Sequence, residues 1–145
     1  MKSINILLTQ SLVQDDITLK DKNVIILDVL RATSTIAVAL TNGAKEIIPT
    51  ENIATAVRVA KGSKNSILCG ERNGKIVDGF NLGNSPLEYS PEVNKDKSMI
   101  FSTTNGTLAI MKSKFTKLCL MCSFVNMSAI VDYVNSIDED FTIIC

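Results

Sequence analysis

Seven short apolar runs punctuate the chain, and they constrain its fold more than any other feature. They are INILL (4–8), VIIL (24–27), EIIP (46–49), SILC (66–69), SMIFS (98–102), KLCLMC (117–122) and FTIIC (141–145). Most are continuous rather than alternating in polarity, as expected of strands covered on both faces. Helix-like segments lie between them. One covers 33–42, with Gly43 as its C-cap, and another covers 51–61, with Thr50 at the N-cap and Gly62 beyond its end. A short one starts at Pro86, a fourth covers 108–112, and the last covers 127–135 behind Asn126. Alternation of strand and helix predicts an α/β fold, a sheet with helices on its faces. No repeat, linker or low-complexity stretch interrupts residues 1–145, so one domain is expected.

Composition narrows the chemistry. There is no histidine, which removes the Ser-His-Asp triad, the Cys-His dyad and any His-ligated metal. Fifteen basic residues balance fifteen acidic ones, with no long run of one sign, so neither nucleic acid nor a membrane surface is an expected partner. No apolar run approaches the roughly 20 residues of a membrane span. The start, MKSINILLTQ, lacks the long apolar core of a signal peptide, and a cytoplasmic location is expected. Cys119 and Cys122 have CxxC spacing, but they lie inside an apolar run with no second pair, so buried free thiols are the expected reading. FTIIC reads as a strand at the end of the sequence, either a natural edge strand or a sign of a longer parent chain.

Ligands of open α/β sheets bind beyond the carboxyl ends of strands. Four loops occupy such positions. In VIILDVLRATST, Asp28 ends a strand, Arg31 follows, and Thr33-Ser34-Thr35 open a helix. That helix start and the Arg31 fork would suit an anion, and Asp28 could hold Mg²⁺ or attack phosphorus. The plainer alternative is that Thr33 caps the helix while Asp28 pairs with Arg31. In CGERNGK, Glu71 and Arg72 precede an Asn73-Gly74 turn, and a hairpin with a surface ion pair is the plain reading. In GFNLGNSP, Ser85-Pro86-Leu87-Glu88 fits a capping box, which leaves Asn81 and Asn84 without a structural explanation. In TTNGT, Asn105-Gly106 can adopt left-handed conformations and form an anion-binding nest, with Thr103, Thr104 and Thr107 as hydroxyl donors. The chain has no GxxxxGK[ST], GxGxxG or HExxH, and Leu30 stands where haloacid-dehalogenase phosphatases carry a second Asp.

Together and in this order, DVLRATST, GERNG, GFNLGNSP and TTNGT resemble the 2-phosphosulfolactate phosphatase family of coenzyme M biosynthesis. Asn126-Met-Ser-Ala-Ile130 is similar to that family as well. The resemblance implies a three-layer α/β/α fold with a mixed, largely parallel sheet, and a Mg²⁺-dependent hydrolysis of 2-phospho-3-sulfolactate. It implies Asp28 and Glu71 as metal ligands, with Arg31 and Arg72 on phosphate or sulfonate. Thr33, Ser34, Asn81, Asn84, Ser85, Thr103, Thr104, Asn105, Gly106, Thr107 and Asn126 would complete substrate binding. Two departures from the family stand out: Asn81 replaces an Asp, and Leu108 replaces an Arg. The family also continues past this C-terminus with an acidic motif, so the isolated chain is expected to be weakly active or inactive. The expected partner is a small anionic phosphoester, with a homodimer as an open option. The alternatives are a phosphatase of another small 2-hydroxy-acid phosphate, or a non-catalytic anion-binding remnant.

Overall fold

The computed structural model describes residues 2–15 and 17–145. Its strands are β1 (Ile4–Leu7), β2 (Asn23–Leu27), β3 (Glu46–Pro49), β4 (Ser66–Arg72), β5 (Lys75–Ile76), β6 (Ser98–Ser102), β7 (Leu118–Cys122) and β8 (Phe141–Ile144). The helices are α1 (Ala32–Thr41), α2 (Ile53–Lys61), α3 (Pro91–Asn94), α4 (Gly106–Lys112) and α5 (Met127–Ser136), with a 3₁₀ turn at Pro86–Glu88. Each of the seven apolar runs carries a strand. The short β5, too polar to stand out, pairs antiparallel with the end of β4 around the Asn73-Gly74 turn, where both residues have positive φ.

The α/β class and the mostly parallel pairing match the sequence reading, but the strands divide between two sheets. The first has the order β1-β8-β2-β7, all parallel; the second has the order β3-β6-β4-β5, antiparallel only at β5. The chain leaves the first sheet through β2-α1-β3 and returns through β6-α4-β7. Helices α1 and α4 therefore pack between the sheets. Ala32, Ile36 and Ala39 of α1 meet Ile67, Cys69, Met99 and Phe101 of the second sheet. Ala109 of α4 meets Val24 and Ile26 of the first. Outside, Val134 of α5 covers Ile25 and Phe141, and Ala56 of α2 covers Ile100. A helix flanked on two sides must be apolar around its circumference, and ATSTIAVALT contains no charged residue.

Two local expectations need correction. Asn52, not Thr50, caps α2, its Oδ1 accepting the Thr55 amide at 2.9 Å. Thr50 is buried, and its hydroxyl donates to Phe101 O at 3.2 Å. Asn105 and Gly106 also form no left-handed nest, since neither has positive φ. Asn105 instead stands at the N-cap of α4, which begins two residues earlier than the apolar pattern suggested. The CxxC thiols are free, and their odd spacing on β7 sends them to opposite faces. Burial pushes the Cys119 thiol up to about 11 and Cys69 up to about 12. Among the described residues no helix is long and apolar enough to cross a membrane.

Candidate active site

Parallel strands deliver their loops to one edge, and the two sheets meet at theirs. Asp28 follows β2, Glu71 is the penultimate residue of β4, and Thr103-Thr104-Asn105 link β6 to α4. These residues, with Leu30, Arg31, Asn73, Gly74 and Asn84, line a cleft of about 270 Å³. A second hollow of about 340 Å³, bordered by Thr9, Gln10 and Val29, adjoins it and shares Asp28 and Asn105.

The floor is tightly set. The N-termini of α1 and α4 approach so closely that a Cβ on Gly106 would lie 2.3 Å from Ala32 Cβ and 2.8 Å from Asp28 Oδ2. Gly70 brings β4 equally near β6, since a Cβ there would sit 2.0 Å from Ser102 O. Thr103 and Thr107 close the β6–α4 loop reciprocally: the Thr103 amide donates to Thr107 Oγ1 and the Thr107 amide to Thr103 Oγ1, both at 3.1 Å.

Asp28 lies beside both helix starts. Burial raises its carboxyl above the ordinary aspartate value; the Ala32 amide pulls the other way, and the charge of Glu71 adds to the rise. Asp28 makes no ion pair with Arg31, whose Nη2 donates to Gly74 O at 3.3 Å. The Leu30–Arg31 peptide bond is cis. Glu71 is only 7% exposed. Its Oε1 accepts the Thr104 amide at 2.7 Å and its Oε2 the Gly74 amide at 2.8 Å. Burial alone would raise this carboxyl, but those amides, the Thr104 hydroxyl and the Arg72 charge hold it below the ordinary glutamate range. The expected hairpin is present, then, but its glutamate binds backbone rather than forming a surface pair. Asn84 is buried, braced by Thr35 Oγ1 donating to its carbonyl at 3.1 Å, and its own Oδ1 has no partner among the described residues.

Other sequence candidates lie outside this cleft. Arg72 donates to Ser102 O at 3.0 Å and Ser102 Oγ at 2.9 Å, tying β4 to β6. The Thr33 hydroxyl accepts the Asp28 amide at 3.1 Å and donates to Cys122 O at 2.7 Å, joining β2 to β7 rather than capping α1. Ser34 Oγ donates to Val29 O at 2.7 Å. Asn81 accepts the Leu68 amide at 3.0 Å at the flank of β4. Ser85 begins the 3₁₀ turn, and Glu88 reaches back to its amide at 3.3 Å, as the capping box predicted. Asn126 is engaged by the Ser123 amide at 2.9 Å and by Met121 O at 2.9 Å. Gly106 and Thr107 are buried at the start of α4, Gly106 bordering the adjoining hollow, and Leu108 is half-buried on α4, outside the cleft lining. Sequence reading missed Leu30, Asn73 and Gly74 as lining residues, although all three sit inside motifs it singled out.

A family model described as 2-phosphosulpholactate phosphatase matches residues 7–145. The chain belongs to this family. Proteins named "probable 2-phosphosulfolactate phosphatase" are similar to it across most of its length. One from Caldanaerobacter subterraneus is 44% identical over 90% of this chain and 55% of its own length. One from Thermotoga maritima is 44% identical over 86% of this chain and 53% of its own. One from Clostridium novyi is 39% identical over 97% of this chain and 60% of its own. The chain thus spans little more than half the length of these curated relatives.

The cleft also suits a hard cation. Asp28 and the unpartnered Asn84 Oδ1 are oxygen donors, with Glu71 beside them, and an all-oxygen set favours Mg²⁺ over softer metals. Among the described residues no group of three or more His, Cys, Asp or Glu forms a metal cage. Mg²⁺ typically relies on one or two carboxylates, waters and substrate oxygens instead.

Proposed function

We propose that this chain carries the phosphoryl-binding site of a Mg²⁺-dependent phosphatase that hydrolyses 2-phospho-3-sulfolactate to 3-sulfolactate and phosphate. The observation that carries the reading is the gathering of Asp28, Arg31, Asn84 and the Thr103–Asn105 loop in one cleft, in a chain whose relatives bear that enzyme's name. Two carboxylates face one guanidinium there, so a multiply charged ester would be repelled without a counter-ion.

Asp28 and Asn84 Oδ1 would hold the cation. When bound, Mg²⁺ neutralises phosphoryl oxygens and orients the displacement. Arg31 would fork onto the remaining oxygens. The two converging helix starts favour negative charge between them, which stabilises the anionic transition state. Asn81 and Leu108 do not line the cleft, so these two departures from the family pattern leave its lining unchanged.

The test is phosphate release, read with malachite green, from 2-phosphosulfolactate and a panel of other 2-hydroxy-acid phosphates. Mg²⁺-dependent turnover that disappears in Arg31→Ala and Asp28→Asn supports the reading. Phosphate release insensitive to both substitutions overturns it, and a preference for another ester reassigns the substrate.

A further inference from the structure

We infer that Glu71 is a positioning residue: its carboxylate clamps the Asn73-Gly74 turn to the Thr103–Thr107 loop and thereby braces Arg31 for an anion. This rests on the function proposed above and reassigns Glu71 from holding metal to holding the loops. Both carboxylate oxygens are already engaged, Oε1 on the Thr104 amide at 2.7 Å and Oε2 on the Gly74 amide at 2.8 Å. Those amides belong to two segments that line the cleft together with Glu71. The carbonyl of the same Gly74 receives Arg31 Nη2 at 3.3 Å. A connected path therefore runs from the β6–α4 loop through Glu71 and Gly74 to the Arg31 guanidinium. The neighbouring Arg72 fastens the same strand end to Ser102, so β4 cannot drift while its glutamate holds the loops. With Glu71 engaged this way, Asp28 and the unpartnered Asn84 Oδ1 are the cleft oxygens we assign to a cation.

The decisive measurement separates anion from cation binding. Glu71→Gln, Glu71→Ala and the unsubstituted chain are titrated with Mn²⁺ by electron paramagnetic resonance, and with inorganic phosphate by calorimetry in excess Mg²⁺. Amide exchange at Gly74 and Thr104 is followed by NMR. A glutamine keeps one acceptor but turns an NH₂ on the second amide, so it opens half of the clamp. The expected result is phosphate affinity weakened about tenfold in Glu71→Gln and further in Glu71→Ala. Exchange at Gly74 or Thr104 accelerates in step, while Mn²⁺ affinity stays within about twofold. Mn²⁺ affinity falling at least as far as phosphate affinity in Glu71→Gln makes Glu71 a metal ligand and overturns the inference. Phosphate binding that survives both substitutions overturns it too, leaving the proposed function in place. No phosphate binding by the unsubstituted chain sinks both.

Discussion

Asp28 is held at a cost. Burial disfavours its charge, and Glu71 adds repulsion, so its folded pKa lies above its unfolded one. The folded state binds this proton more tightly than the unfolded chain does, and stability is lost as pH rises through that raised value. Asp28→Asn should therefore melt at or above the unsubstituted protein at pH 7, with the gain vanishing below about pH 4. The same substitution should weaken Mn²⁺ binding tenfold or more. Melting curves at the two pH values, with a Mn²⁺ titration, check both halves; a lower melting point at pH 7 would show that Asp28 chiefly stabilises the fold. At this scale the sequence was informative about which residues meet where their place after a strand decides it, as for Asp28, Arg31 and Thr103. It was silent where the task depends on a distant partner. Thr33 is claimed by Cys122, Asn81 by Leu68 and Arg72 by Ser102, and no local pattern announces such pairings.

Helices α1 and α4 cross between the sheets with their first turns in contact, and Gly106 makes that possible. Gly106→Ala should destabilise the chain by about 1–3 kcal/mol, because the new methyl meets Ala32 and the Asp28 carboxylate together. Pairing it with Ala32→Gly should recover part of the loss. Urea unfolding of the single and double variants measures this, and additive losses would mean that the two helix starts do not touch. Elements were legible because unbroken apolar runs and intervening helical segments are local signals. Their grouping into two sheets was not, since strand order is decided by which faces α1 and α4 must cover. The charge-free sequence of α1 was the readable hint that it is enclosed on both sides.

Over the whole molecule, several carboxyls sit below their ordinary values. Glu71 is held there by amides that outweigh its burial, Glu139 first by Lys117, and Asp140 first by the Ser3 amide. A depressed folded pKa gives stability that is present above the unfolded value and lost as pH falls through the folded one. Urea midpoints should therefore decline from about pH 5 toward pH 3, and Glu71→Gln should flatten the decline. A midpoint that rises on acidification would mean that Asp28 outweighs the rest. Finally, the close approach of Gly106 and Gly70 to their neighbours divides the cleft into two kinds of position. The base tolerates no added atom, whereas Leu30 is 89% exposed and Asn105 is also exposed at the mouth. Randomising those two mouth positions alone would re-tune which esters gain entry while the architecture beneath stays frozen, so new substrates for this scaffold are best sought from its lip inward.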